Sequence, residues 1–229
     1  SLLTIVTVLI SSFGFSQNEN ALLWKVSGNG LEKPSYVFGT IHMICQDDYF
    51  LNESVSQALK NSEALFTEIN FGNMEEMLLM QKSVQTDIPL KERISEKKYK
   101  KLESLLKEKL NTEIISLEKL SEAGIASMIM MKSFSCDNIK MYEIELLQKA
   151  MSEKKQLGGL ETVKEQLKIM EDHLNIDACI KMLEELKSSE DSNRKMVELY
   201  KAQNIDELLQ LLNSSSYMNE KAYHEFVVN

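Results

Sequence analysis

The spacing of apolar positions changes character twice along the chain. Two short apolar runs, Leu22 to Val26 and Tyr36 to Phe38, are separated by SGNGLEKP. Gly-Asn-Gly and Pro34 are turn chemistry, so the two runs read as a β-hairpin. A helical pattern from Asn52 to Lys60, with Val55, Ala58 and Leu59 on one face, leads into a further apolar run from Ala64 to Thr67 that ends in Glu68. Strand, helix and strand with short connections predict a βαβ unit with parallel strands. That geometry places His42, just past the first strand, and Glu68, at the end of the second, on the carboxyl edge of one sheet. Open α/β sheets bind their ligands at that edge.

From Gly72 to Ala150 the period becomes helical. Tyr99, Leu102, Leu105, Leu106 and Leu110 share one stripe, and Ile139, Tyr142, Leu146 and Ala150 share another. Met74, Met77, Met80, Met128, Met130 and Met131 fall at helical spacings and read as packing residues. Residues 72–150 are therefore expected to be a helical insertion. Gln156 to Leu160 returns to a strand pattern, and Thr162 with Glu165 forms a capping box that starts a helix carrying Val163, Leu167, Met170 and Leu174 on one face. If this strand joins the same sheet, Glu161 arrives at the edge that holds His42 and Glu68. Four helical segments follow, Ile176 to Leu186, Arg194 to Lys201, Ile205 to Leu212 and Tyr217 to Val228. The last reaches Asn229 in mid-pattern with no stop signal, so the C-terminal part of the fold is expected to lie beyond it. The expected class is α/β (α+β): a mixed, partly parallel sheet core with a large helical insertion, helix-rich overall, in one domain over residues 17–229.

Charge and the first residues narrow the setting. Lys and Arg total 26 against 35 Asp and Glu, for a net charge of -9, and no basic stripe appears, which argues against nucleic acid as a partner. Leu2 to Ile10 is uncharged and apolar but too short to span a bilayer. Gly14-Phe15-Ser16 then has the small-x-small form of a signal-peptidase site, so residues 1–16 read as a signal-peptide remnant. The alternative is a buried N-terminal strand, since Thr4 to Val8 favour β structure. Export predicts a bacterial periplasmic or secreted protein with no stable membrane span once the signal is removed. In an oxidising compartment, Cys45 and Cys136, both in loop-like contexts, are expected to pair, leaving Cys179 on the apolar side of a helix. CxxC spacing is absent, which argues against a structural zinc site.

His42, Glu68 and Glu161 have the chemistry of a first shell for a divalent manganese, cobalt or zinc ion. Such an ion would lower the pKa of a bound water and polarise a carbonyl, with a spare carboxylate as general base. Each residue also has a plainer reading. His42 after a strand suits a hydrogen-bonded structural role, and Glu161 suits the dipole of the following helix. Glu68, after the apolar run Ala64-Leu65-Phe66, is expected to need a partner to offset desolvation.

The stretch ALLWKVSGNGLEKPSYVFGTIHM, the Glu of LFTEIN and the segment GGLETVKEQ resemble the TraB/PrgY/GumN family, which includes the TIKI metalloproteases. The resemblance covers most of the chain in order. It implies an α/β core with a helical insertion, related to the erythromycin-esterase/ChaN-like fold. It also implies metal-dependent hydrolysis, of peptides in the best-understood branch, by two G-x-x-H motifs and glutamates. Carried over, the first motif is Gly39-Thr40-Ile41-His42, Gly39 allowing close backbone approach, and the glutamates are Glu68 and Glu161. A second G-x-x-H motif is missing from the 229 residues, and His173 and His224 lack the glycine and read as solvent-facing. Hydrolysis of a peptide or protein substrate is therefore expected of a full-length form. A non-catalytic peptide-binding or regulatory relative is the alternative, and a helical interaction module with an incidental sheet is a third. The metal, the substrate and the oligomeric state are not legible.

Overall fold

The computed structural model describes residues 20–214. The signal-peptide reading of residues 1–16 and the segment Tyr217 to Val228, with His224, lie outside the described residues. Strand β1 (Leu23–Val26) pairs antiparallel with β2 (Ser35–Phe38), with Trp24 opposite Val37. Gly28 and Gly30 turn the chain between them at φ +90° and +85°, where a Cβ would be strained. Strand β3 (Met43–Cys45), helix α1 (Glu53–Asn61) and strand β4 (Ala64–Ile69) follow, and α1 buries Val55, Ala58 and Leu59 as its spacing predicts.

Within the insertion, α2 (Met74–Ser83), α3 (Leu90–Arg93), α4 (Glu96–Leu110) and α5 (Glu122–Lys132) precede a short strand, β5 (Ile139–Met141), and α6 (Tyr142–Ser152). Ile139 thus lies in a strand and not on the expected helical stripe. After α6 come β6 (Gln156–Glu161), α7 (Val163–His173), α8 (Ile176–Glu184), α9 (Leu186–Lys201) and α10 (Ile205–Ser214). Side-chain oxygens of Asn73, Ser95, Ser121, Thr162 and Asn175 accept from the first-turn amides of α2, α4, α5, α7 and α8, which fixes where these helices begin. Among the described residues, no helix is long and apolar enough to cross a membrane.

The protein is a helix-rich mixed α/β fold, and among the described residues six strands form three pairs: β1 with β2 and β3 with β5, both antiparallel, and β4 with β6 in parallel. The parallel partner expected for β4 was the Tyr36 to Phe38 strand; β4 pairs instead with β6. Local hairpin closure costs little chain entropy and commits β2 to β1. On β6, Gly158 sits opposite Phe66, and a Cβ there would overlap the Phe66 ring, so glycine is what admits β4 at this register.

Among the described residues, apolar side chains gather into three clusters. Leu90, Leu102, Leu106, Ile125, Ile129 and Leu183 join α3, α4, α5 and α8. Burying each of these side chains contributes about 1.5–3 kcal/mol before entropy is counted. Met128 packs against this cluster, whereas Met74, Met130 and Met131 are 72%, 40% and 47% exposed, so the methionines are only in part the packing residues expected. Tyr142 joins Leu22, Ile44, Val197 and Tyr200, while Leu146 and Ala150 join Val55 and Leu59 beneath β4 and β6. Helix α6 therefore serves two clusters at once, and its first turn stands between β3 and the parallel pair.

Candidate active site at the first turn of helix α6

His42 directly precedes β3, and Tyr142-Glu143 directly follows β5. The antiparallel ladder, with Met43 opposite Met141 and Cys45 opposite Ile139, brings these two ends together. At its other end, Cys45 and Cys136 form a disulfide with Cα atoms 6.0 Å apart, and Cys179 is free and buried. The result is a close couple in which His42 Nδ1 lies 3.2 Å from Glu143 Oε1, and the same oxygen accepts a hydrogen bond from Thr40 Oγ1 at 2.9 Å. Glu143 is 5% exposed, and its second oxygen, Oε2, is buried without a protein donor.

Burial alone would favour the neutral acid at Glu143. Hydrogen bonds from His42, its own backbone amide and Thr40, together with the charge of His42, outweigh burial and hold the carboxyl below its usual range. An ionised Glu143 can only accept, so Nδ1 of His42 carries the proton and Nε2 is left with a lone pair when the ring is neutral. The hydrogen bond that His42 donates to Glu143 raises the His42 pKa, against the opposing effect of burial and with help from the charges of Glu143 and Glu68.

On the other side of the ring, Nε2 faces Glu68 Oε2 at 3.8 Å. Glu68 sits near the end of β4 and Glu161 ends β6, and Gln166 in the second turn of α7 spans them. Its Nε2 lies 3.2 Å from Glu161 Oε2 and 3.5 Å from Glu68 Oε2. The capping box of Thr162 and Glu165 fixes the start of α7 and so the position of Gln166. His42, Glu68, Gln166 and Glu161 thus form a continuous rim, although their strands belong to separate pairs.

Several expectations are corrected here. The Glu68 side chain is 55% exposed, so it pays little desolvation and the argument for a compulsory partner does not hold. A Cβ added at Gly39 would meet only Leu22 O at 3.9 Å, an ordinary contact, so no close backbone approach requires glycine among the described residues. His173, expected to face solvent, is partly buried at the end of α7. Glu143 and Gln166 were not foreseen. Glu143 shares i, i+3, i+7 spacing with Leu146 and Ala150, which marks it as lying on a buried stripe. Among the described residues, no three His, Cys, Asp or Glu side chains stand close enough together to hold a metal ion.

A mixed α/β chain presenting an imidazole backed by a buried carboxylate, beside two further glutamates, has the groups needed for proton transfer. The TraB/PrgY/gumN family model matches residues 22–229, and the chain belongs to that family. Neither a curated protein nor a solved structure matches it significantly.

Proposed function

We propose that this protein is an exported metal-dependent hydrolase acting on peptides, with His42, Glu68 and Glu161 as its chemical groups. The observation that supports the reading best is the His42–Glu143 couple, which turns His42 Nε2 toward Glu68. A carboxylate behind an imidazole is the usual support of a metal-binding histidine, and two half-open carboxylates suit manganese, cobalt or zinc in donor type. The set fits in kind, and as it stands His42 and Glu68 are the close pair while Glu161 is reached through Gln166. His42 Nε2 and Glu68 are the pair that would hold the ion, with Glu161 standing apart from them behind Gln166 as a third donor of the right kind. When bound, it would polarise a substrate carbonyl and acidify a water.

The remaining work falls to the chain. Glu143 accepts from Nδ1 and so fixes the His42 tautomer and ring orientation, which keeps the Nε2 lone pair available to the ion. Glu68 is open enough to accept a proton from an attacking water. Phe66 and Leu160, 60% and 74% exposed on the same face of the parallel pair as Glu68, offer apolar surface to a peptide side chain beside the reacting bond.

A second reading, a peptide binder or regulator that does not cleave, is favoured by Gln166, whose amide already bridges the two glutamates. Incubating the protein with a mixed peptide library, after chelation and again with added manganese, cobalt or zinc, separates the two. Cleavage that needs added metal and vanishes in His42→Ala is the expected result. Peptide retention without cleavage under every condition would favour the binder, and cleavage undiminished by chelation would end the metal reading.

A further inference from the structure

Helix α9 lies more than a hundred residues from the Gly39–His42 loop in sequence, yet its last turn grips the loop's anchor. The amide of Gly39 donates to Leu22 O at 2.8 Å, closing the mouth of the first hairpin. Tyr200 Oη donates to Gly39 O at 3.1 Å, and Gln203 Oε1 accepts from the amide of Leu22 at 3.3 Å. The backbone bond between Leu22 and Gly39 is therefore bracketed from both sides, by Tyr200 in the last turn of α9 and by Gln203 two residues past its end. Tyr200 is 1% exposed, its ring packed edge-on to Tyr142 at 5.4 Å and tilted against Phe50 at 5.7 Å. Burial holds its hydroxyl pKa well above the usual phenol value, so it remains a donor throughout the working pH range.

Tyr142, which the Tyr200 ring touches, is the residue before Glu143. One aromatic contact thus fixes the carboxylate side of the couple, and one hydroxyl fixes the loop that carries the imidazole. We propose that Tyr200 is a positioning residue for His42: the end of α9 clamps the Leu22–Gly39 bond and so sets the distance between the His42 ring and Glu143. Its effect on turnover rests on the hydrolase reading, but the positioning itself does not.

Tyr200→Phe keeps the ring and deletes the hydroxyl that holds Gly39. Tyr99→Phe serves as the control, because it deletes a hydroxyl that donates to Glu118 Oε1 at 2.8 Å within the helical insertion. In isotope-labelled protein, the His42 ring nitrogen and Nδ1–H signals are expected to shift and broaden in Tyr200→Phe and to stay in place in Tyr99→Phe. The melting temperature should fall by no more than a few degrees, the effect of one lost hydrogen bond. Peptide turnover should fall roughly 10- to 100-fold with KM little changed. Gln203→Ala, acting from the other side of the clamp, should move the same His42 signals, which keeps the test open if Tyr200→Phe folds poorly. Unshifted His42 signals in folded Tyr200→Phe and Gln203→Ala would overturn the proposal. If the wild-type protein cleaves nothing, the hydrolase reading fails while the ring signals still decide the positioning.

Discussion

His42 and Glu143, 101 residues apart in sequence, share a 3.2 Å contact between Nδ1 and Oε1 that the β3–β5 ladder creates and the first turn of α6 presents. The carboxylate is buried and the imidazole opens toward Glu68. An imidazole open to solvent is thereby backed by a carboxylate that solvent barely reaches.

Replacing that carboxylate by its amide separates charge from shape. In Glu143→Gln, an amide of the same size can offer Nδ1 either a donor or an acceptor, so the tautomer is no longer fixed. Peptide turnover should fall roughly 10- to 100-fold, and the His42 pKa should drop toward its ordinary value. Titration of the His42 ring signals and steady-state kinetics check the two effects, and an unchanged His42 pKa would show that Glu143 does not act on the ring.

The same couple gives a pH signature in stability. The folded-state pKa of His42 lies above its usual 6.5, so its contribution is full below that value and fades as pH rises through the folded pKa. The folded-state pKa of Glu143 lies below its usual 4.5, so its contribution is full above that value and fades as pH falls through the folded pKa. The stability difference between wild type and Glu143→Gln, from urea melts at stepped pH, should therefore be largest between 4.5 and 6.5 and shrink on either side. A difference independent of pH would contradict this account.

Three residue pairs make a ladder too short to persist alone, so the disulfide at its far end matters to the couple. Cys45 and Cys136 are separated by 91 residues, and cross-linking them removes much freedom from the unfolded chain. Replacing both by Ser should cost about 2–5 kcal/mol in urea unfolding. It should also weaken amide protection in β3 and β5 more than in α4, whose Leu102 and Leu106 belong to a separate cluster. Equal protection in the two places would mean that the ladder holds without its cross-link.

Much of this architecture was legible before the structure. The Gly-Asn-Gly hairpin, the α1 face and the capping box of Thr162 and Glu165 all depend on neighbours a few residues apart, and local rules describe them well. His42, Glu68 and Glu161 were expected on one sheet edge; instead His42, beside a strand of a separate pair, lies 3.8 Å from Glu68, and Gln166 stands between Glu68 and Glu161. Strands β3 and β5, at three residues each, are too short to show a period, and their pairing spans the whole insertion. The role of Glu143 stayed hidden for the same reason: spacing alone places it on the stripe of Leu146 and Ala150, but only the long-range pairing of β3 with β5 brings His42 to it.

Manganese added in substoichiometric amounts to isotope-labelled protein asks most directly whether the rim acts as one centre. The account predicts that the His42 ring signals and the amides of Glu68 and Glu161 broaden first and together, and that His42→Ala removes the effect. Signals at these three positions that stay sharp while acidic helix surfaces broaden would contradict it.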